Sequence, residues 1–302
     1  MNGLKFTVPE NKHIRVIIDT DAACEADDPF AIAHALMSPK LDVVGIVAEH
    51  FNETGSMMRS FEEIKKITDA MKKNVPAFFG EIGPLPANIT DMNPDNVNVS
   101  DGVDFIIKEA MNIDDRPLYI LCQGAITNVA AAFIKNPYII HLVTVVWIGT
   151  HGQGPVTAPF REFNAGNDIT AANIVLTSGT DLWLIPSNVY TTINIGIAEI
   201  QRRIYPCGEI GKHLFENMAE YNNSEKAAWT KGESWSLGDS PAVAVTLNPD
   251  CGLYVMEHAP KVMDDTSSVY DETRPVIRIY KYVDARYLLE DFIAKLELCY
   301  GE

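Results

Sequence analysis

The chain has 302 residues, of which 47% are hydrophobic, enough to bury one large core. Its 41 acidic and 24 basic residues give a formal net charge of −17. This charge argues against a nucleic acid or an anionic membrane as partner, because both attract basic surfaces, and we expect a small molecule or a cation as the ligand instead.

Strands rich in Val and Ile alternate with amphipathic helices through the first two thirds of the chain. This alternation predicts an α/β fold with a mainly parallel central sheet flanked by helices, in a single domain spanning residues 1–302. The predicted strands are Ile14–Asp19, Asp42–Ala48, Leu118–Cys122, Leu142–Ile148 and Asp181–Ile185. The predicted helices between them are Asp28–Met37, Met57–Met71, Val103–Met111, Thr127–Ile134 and Ile169–Thr177.

The strict alternation fades after about Asn188. There the sequence predicts a helix at Gly208–Tyr221, a short helix from near Ser240, a strand at Val276–Tyr282 and a closing helix at Ala285–Leu298. Functional residues of open α/β sheets collect at the carboxyl ends of the strands, so candidate residues are sought in the loops that follow them.

The first residues show no signal peptide, and no apolar run is long enough to span a membrane, so a cytoplasmic location is expected. The five cysteines are scattered and include no C-x-x-C pair. Disulfides and a cysteine-ligated zinc are therefore not expected.

The segment after the first predicted strand, DTDAACEADD, is crowded with carboxylates. It contains Asp19, Asp21, Glu25, Asp27 and Asp28. Like charges this close raise each other's pKa unless a cation or hydrogen bonds compensate them. Oxygen ligands without histidine favour Ca²⁺ or Mg²⁺ over zinc. Capping of the following helix is the structural alternative, but a helix end offsets only about half a charge.

The D-x-D pattern after a buried strand also fits a Mg²⁺-dependent phosphohydrolase of the haloacid dehalogenase type, with an aspartyl nucleophile. Ala23 stands where that family prefers Thr or Val, and no convincing lysine motif follows. A third interpretation is a non-catalytic ribose-binding protein.

The stretch DTDAACEADDPFAIAHAL resembles the signature of the inosine–uridine nucleoside hydrolase family, with two extra residues between Asp21 and Asp27. Four further segments resemble that family in the same order: LDVVGIVAEHFNETG, ILCQGAITNVAAAF, REFNAGNDITAANIV and SLGDSPAVAVTLNPD. The resemblance implies hydrolysis of the N-glycosidic bond of a ribonucleoside or related N-riboside. It also implies a homo-oligomer, a dimer or tetramer.

Particular residues take roles from this resemblance. It implies a Ca²⁺ ion bound by Asp21, Asp28, Asp239 and the backbone carbonyl of Gln123, with Asp21 as the general base that activates the attacking water. The residues implied to bind the substrate are Asp27, Asn52, Glu162 and Asn164. Apart from the resemblance, Trp235 is a candidate for stacking on the base, because it stands four residues before Asp239. Alternatively, Asn52 is a turn residue, Glu162 an exposed charge and Trp235 part of the core.

Two histidines of the familiar members are missing on the side of the leaving base. Gly238 stands before the late aspartate, and Asn98 stands near the second position. The identity of the base and the group that protonates it therefore do not follow from the resemblance. His50 and His151 are further candidates, because both follow predicted strands.

Overall fold

The computed structural model describes residues 3–87, 89, 93–97, 99–153 and 160–301. The strands of the described residues are, in chain order, β1 (Ile14–Thr20), β2 (Leu41–Ala48), β3 (Ala77–Phe79), β4 (Leu118–Cys122), β5 (Val143–Ile148), β6 (Asp181–Ile185), β7 (Asn194–Gly196), β8 (Ser234–Ser236), β9 (Gly252–His258), β10 (Pro260–Val262), β11 (Ser268–Tyr270) and β12 (Val276–Val283). The α-helices are α1 (Asp28–Met37), α2 (Ser56–Ala70), α3 (Asp101–Ala110), α4 (Thr127–Lys135), α5 (Phe163–Asn167), α6 (Ile169–Thr177), α7 (Ser187–Tyr190), α8 (Ile197–Glu199), α9 (Gly208–Asn222), α10 (Ser240–Leu247) and α11 (Ala285–Tyr300).

Eight strands form the central sheet, in the order β3-β2-β1-β4-β5-β6-β12-β9. Every neighbouring pair is parallel except β12 and β9. All residues of β1 are buried, as expected for a strand inside a parallel sheet that is covered on both faces. The predicted α/β fold with a mainly parallel sheet is confirmed.

Two hydrophobic cores lie on the two faces of this sheet. Along β1, Val16 and Ile18 belong to one core and Ile17 to the other, which reflects the alternation of side chains along a strand. The first core contains α1, α2, α9, α10 and α11, and the second contains α3, α4 and α6. No helix in the described part of the chain is long and apolar enough to cross a membrane.

The two edge strands of the sheet, β3 and β9, were not predicted from the sequence. β3 has only three residues, too few for an alternating pattern to be recognised. β9 carries exposed apolar side chains at Leu253, Tyr254 and Met256, so its burial does not alternate as expected of a half-buried strand. β9 adds an antiparallel edge to a parallel sheet, a common arrangement that sequence periodicity does not reveal.

Helix α11 packs against α1 and supports the helix that carries Asp28 at its first turn. The ring of Phe292 lies 5.9 Å from that of Phe30, in an edge-on arrangement, and 5.6 Å from the imidazole of His34. Next to these rings, the His34 Nε2 lies 2.8 Å from Asp291 Oδ2 and the Lys295 ammonium donates to the Ser38 hydroxyl. The closing helix therefore determines how α1 lies against the sheet.

Replacing Phe292 by Ala should lower the free energy of unfolding by about 3–5 kcal/mol, because it leaves a cavity between α1 and α11. Urea denaturation measures this change. Leu298→Ala on the same helix is the matched control, since that side chain is 55% exposed and should cost well under half as much. Equal losses in the two variants would contradict the proposed packing role.

Candidate active site

The turn from β1 into α1 brings the acidic residues of the sequence motif together. Asp21 follows β1, Asp27 is the residue before α1, and Asp28 is the first residue of that helix. Thr20 donates its hydroxyl hydrogen to the Asp28 carboxylate. The local sequence explains the turn, since Pro29 is well suited to the first turn of a helix and acids are favoured at a helix N-terminus.

Asp239 lies next to Asp27 and Asp28 in the structure, although it is more than 200 residues away in the sequence. It precedes α10, which packs against α1, and Pro241 stands in the first turn of α10. Carboxylate oxygens of Asp27, Asp28 and Asp239 all lie within 4.8 Å of one another. Two helix N-termini therefore meet at three carboxylates, and their partial positive charges offset only part of the repulsion.

Glu49 is a buried acid next to this cluster that the sequence interpretation missed. It follows β2, and its Oε1 accepts a 2.7 Å hydrogen bond from the backbone N–H of Thr127 at the start of α4. A Cβ placed on Gly124 would lie 2.6 Å from Glu49 Oε2 and 3.2 Å from Asp21 Cγ, so only glycine fits there. Its position directly after a parallel strand was the signal that could have identified Glu49.

Burial and mutual repulsion raise the pKa values of this cluster. Burial raises the pKa of Asp28 to about 8, with a further contribution from the charge of Asp27. Burial also raises the pKa of Glu25 to about 8 and that of Asp27 to about 6. The pKa values of Asp21 and Asp239 are also raised well above their ordinary values, mainly by burial and in second place by the charges of neighbouring carboxylates. The protein alone does not supply enough positive charge to ionise all these groups at neutral pH.

Several buried polar atoms here have no hydrogen-bond partner within the described residues. They are Oδ2 of Asp21, Oδ2 of Asp19, Oε2 of Glu49 and both side-chain polar atoms of Gln123. Buried polar atoms are nearly always satisfied in folded proteins, so unpaired carboxylate oxygens indicate a missing partner such as a cation or water. The oxygen-only set fits a hard divalent ion.

A cavity of about 580 Å³ opens above these acids. The described residues that line it are Asp21, Cys24, Glu25, Asp27, Asp28, Gln123, Ile148, Phe160, Arg161, Phe163, Asn164, Tyr190, Thr191, Trp229, Lys231, Ser236, Gly238 and Asp239. We call Asp21, Asp27, Asp28 and Asp239 the acidic floor. Phe160, Phe163, Tyr190 and Trp229 form an aromatic wall. This combination of a few polar groups and apolar walls is typical of a small-molecule site.

The cavity is lined by all four residues that the sequence analysis named as metal ligands, which are Asp21, Asp28, Gln123 and Asp239. It is also lined by two of the predicted substrate-binding residues, Asp27 and Asn164. Asn164 Nδ2 donates a 2.9 Å hydrogen bond to the carbonyl of Ile148, which fixes its side chain at the carboxyl end of β5. The individual roles of these residues stay predictions.

Asn52, Glu162 and Trp235 do not line the cavity, in contrast to the expectation for substrate-binding residues. Asn52 is exposed, with a positive φ of 57°, in a turn where its backbone N–H donates to His50 Nδ1. Its backbone geometry matches the turn alternative. In the same family segment, Glu49 is buried next to the acidic cluster.

Glu162 is fully buried, and both of its carboxylate oxygens already accept hydrogen bonds. Oε2 accepts from the backbone N–H of Ala165, capping α5, and Oε1 accepts from the Tyr190 hydroxyl at 2.9 Å. The side chain is therefore not the exposed charge of the alternative interpretation. In the structure it holds Tyr190, a residue of the cavity wall.

Trp235 is only 1% exposed and lies behind the cavity wall. Its ring centroid is 5.7 Å from that of Tyr221 and 5.7 Å from that of Trp229. It therefore packs in the core, as the alternative interpretation proposed. The tryptophan that lines the cavity is Trp229, which is 46% exposed.

Neither candidate histidine lines the cavity. The Nδ1 atom of His50 accepts a hydrogen bond from the backbone N–H of Asn52, so in the neutral ring Nε2 carries the hydrogen. Nε2 donates this hydrogen to the Thr127 hydroxyl, and that hydroxyl donates its own hydrogen to the Asp168 carboxylate. Burial lowers the pKa of His50 to about 4, which fits a neutral ring that positions α4. His151 Nδ1 lies 2.8 Å from the Ser187 hydroxyl.

Of the two positions where familiar family members carry histidine, the structure describes only Gly238. A Cβ at Gly238 would lie 3.1 Å from Asp27 Oδ2 and 3.4 Å from the Tyr190 ring, so a larger side chain there would crowd both. Asn98 lies outside the described residues.

The chain is similar in sequence and in fold to known ribonucleoside hydrolases. The chain is 27% identical over 258 residues to the pyrimidine-specific ribonucleoside hydrolase RihA of Salmonella paratyphi A, a match that covers 78% of this chain and 80% of that protein. It is 25% identical over 287 residues to RihB of Escherichia coli, with 86% of each chain covered. The purine-preferring ribonucleoside hydrolase of Gardnerella vaginalis has the same fold, with a TM-score of 0.78, 24% identity and coverage of 94% of this chain and 99% of that one.

A sequence model of the family described as inosine-uridine preferring nucleoside hydrolase matches residues 16–287. This match covers the acidic floor, the aromatic wall and nearly all of the central sheet. The chain therefore belongs to the inosine-uridine preferring nucleoside hydrolase family, as the acidic motif and the four further segments of its sequence predict.

Proposed function

We propose that this chain, an N-glycosyl hydrolase of the nucleoside hydrolase family, cleaves ribonucleosides or related N-ribosides to ribose and free base with a water molecule that Asp21 activates. The observation that carries this proposal is the acidic floor at the buried end of a cavity large enough for a small ligand. Asp21 belongs to the floor and has an oxygen without a partner among the described residues, so this oxygen can accept a proton from water when a bound cation keeps the carboxylate ionised.

We propose Ca²⁺ as the resident ion, held by Asp21, Asp28, Asp239 and the carbonyl of Gln123. The clustering of Asp27 with Asp28 and Asp239 supports an ion at this place and makes Asp27 an additional candidate ligand. When bound, such an ion would orient the attacking water and the ribose hydroxyls and offset the charge of the floor. The choice of Ca²⁺ over Mg²⁺ rests on the family resemblance.

The ribose is proposed to lie on the acidic floor. Cleavage of the N-glycosidic bond builds positive charge on the sugar, and nearby carboxylates stabilise that charge electrostatically. Asp27 is proposed to accept a hydrogen bond from a ribose hydroxyl, and the Asn164 side chain offers an amide beside it. Asn52 and Glu162 lie outside the cavity lining, so direct contact with the sugar would need a rearrangement on binding.

The base is proposed to lie against the aromatic wall, with Trp229 in the stacking role first considered for Trp235. Trp229 is partly exposed and reaches the cavity, whereas Trp235 supports it from behind. Stacking needs only a π-face and does not select a particular base. The relatives include pyrimidine-specific and purine-preferring enzymes, so the base itself is not assigned.

A cytoplasmic location and assembly into a dimer or tetramer are further parts of the proposal, and they rest on the sequence and the family resemblance. A small-molecule nucleoside or N-riboside is the proposed ligand. The strongly acidic composition supports the absence of nucleic-acid and membrane partners.

Ca²⁺ should stabilise the protein more at pH 8 than at pH 5. Burial raises the pKa of Asp28 and Glu25 to about 8, so the metal-free folded state keeps protons that the unfolded chain has lost above about pH 4. The free energy of unfolding of the metal-free protein therefore falls as the pH rises through this range, and a bound cation removes that cost. Thermal unfolding at both pH values, with EDTA or with Ca²⁺, measures the effect.

Asp239→Asn should reduce the Ca²⁺-dependent rise in Tm, whereas Asp181→Asn, at an exposed position outside the cavity, should not. Equal rises at pH 5 and pH 8 would contradict the assignment of the raised pKa values to the ion site.

Asp21→Asn should keep the cavity and much of the Ca²⁺ binding but lower kcat by about 10²–10⁴-fold, since the amide cannot take a proton from water. Reducing-sugar release from a panel of nucleosides measures turnover, and Asp101→Asn on the exposed side of α3 is the control. Full activity of Asp21→Asn would refute its role as base. Phosphate release from phosphate esters would instead support the phosphohydrolase alternative, and binding without turnover would support the ribose-binding one.

Trp229→Ala should lower kcat/KM for nucleosides about 5–100-fold, because it removes the stacking surface while leaving the acidic floor intact. Tyr138→Ala is the control, since Tyr138 is an exposed aromatic residue away from the cavity. Unchanged kcat/KM in Trp229→Ala would show that the base does not lie on this ring.

A further inference from the structure

Two basic residues line the same cavity as the acidic floor. They are Arg161 and Lys231, and both residues are exposed, whereas Asp21, Asp28 and Asp239 on the floor are at most 5% exposed. The floor therefore occupies the buried end of the cavity and the two cations its open end. Acidic residues outnumber basic ones by 41 to 24 in this chain, so two basic residues at the cavity need an explanation.

Arg161 is held in place by two backbone carbonyls. Its Nη1 donates a 2.5 Å hydrogen bond to the carbonyl of Asp264, and its Nη2 donates a 3.2 Å bond to the carbonyl of Gly166. Within the described residues, no carboxylate oxygen lies within 4.0 Å of its guanidinium. A guanidinium has five N–H donors, so donors remain for a ligand.

Lys231 also forms no ion pair in the part of the chain that the structure describes. It lies two residues after Trp229, the residue of the aromatic wall proposed to stack on the base, and precedes Gly232, which has a positive φ of 85°. Lys226, five residues earlier, gives the contrast: its Nζ lies 3.7 Å from Glu53 Oε1, and it does not line the cavity.

The acidic floor does not explain these cations. Neither side chain forms an ion pair with a floor carboxylate in the described part of the chain, so the two cations do not neutralise the floor by direct contact. A neutral ribonucleoside would leave both basic groups facing an uncharged ligand. A ligand with an anionic group at the open end would pair with them in charge-assisted hydrogen bonds, which are roughly twice as strong as neutral ones.

We infer that the preferred substrate of this enzyme is a ribonucleoside or N-riboside that carries an additional anionic group, a carboxylate or a phosphate, and that Arg161 and Lys231 bind this group. The inference rests on the proposed function, because it requires the ribose to lie on the acidic floor. The anionic group projects from the base or from the 5′ carbon of the ribose, away from the floor.

The test compares kcat/KM within pairs of substrates that differ in charge. Uridine is compared with orotidine, which carries a carboxylate on the same base, and uridine and inosine are each compared with their 5′-monophosphates. We expect at least one anionic member to be preferred about ten-fold or more at low salt, with the preference falling as ionic strength rises. Whether the carboxylate or the phosphate is preferred identifies the position of the charge.

Lys231→Met and Arg161→Met should each reduce this preference several-fold, because they weaken binding of the anionic member of each pair more than that of its neutral partner. Lys226→Met is the matched control, and it should keep the preference. Equal kcat/KM within every pair, or a preference that both variants retain, would overturn the inference and leave the proposed function standing, because the neutral nucleosides would still be hydrolysed.

Failure of the proposed function has a different signature, the absence of hydrolysis of every compound. The inference is then decided by calorimetric titration of the same pairs in the presence of Ca²⁺. Tighter binding of an anionic member that Lys231→Met weakens supports it, and equal or undetectable binding of both members of each pair overturns it.

Discussion

The arrangement of this site depends on the repulsion among carboxylates gathered where the strands of a parallel sheet end. Asp21 and Asp28 come from the first βα turn, Glu49 from the end of β2 and Asp239 from the residue before α10. Their side chains are buried, which costs free energy for each charge unless a partner compensates it. The N-termini of α1, α4 and α10 supply part of that compensation, and the proposed cation supplies the rest.

The fold brings these acids together because its core fixes the helices that carry them. β1 is buried along its whole length, so the turn that follows it opens at the carboxyl edge of the sheet. Helix α1 packs against both α10 and α11. Gly124 has no side chain, so the backbone after β4 can lie close to Asp21 and Glu49. The site is therefore preorganised by packing that lies outside the cavity.

Much of this architecture could be predicted from the sequence, because apolar periodicity and βα alternation determine the inner strands and the longer helices. α1, α6, β4 and β6 have the predicted bounds. The edge strands β3 and β9 could not be predicted, since one is very short and the other has no alternating burial.

The acidic floor could also be anticipated, because three of its four residues, Asp21, Asp27 and Asp28, stand in one short motif. What the sequence could not supply was the direction of single side chains. Asn52 and Glu49 stand three residues apart in the same loop, yet the first is exposed and the second is buried beside Asp21. Trp235, the residue expected to stack on the base, is buried and Trp229 lines the cavity instead, because the packing of α9 and β8 decides which ring reaches the cavity.

The acidic floor is proposed to bind one divalent cation. Calorimetric titration of Ca²⁺ into metal-free protein at about pH 8, where the carboxylates are mostly ionised in the bound state, measures this binding. We expect one ion per chain, with binding strongly weakened by replacing Asp239 with Asn. The absence of saturable Ca²⁺ or Mg²⁺ binding by the folded wild-type protein would refute the proposed ion site.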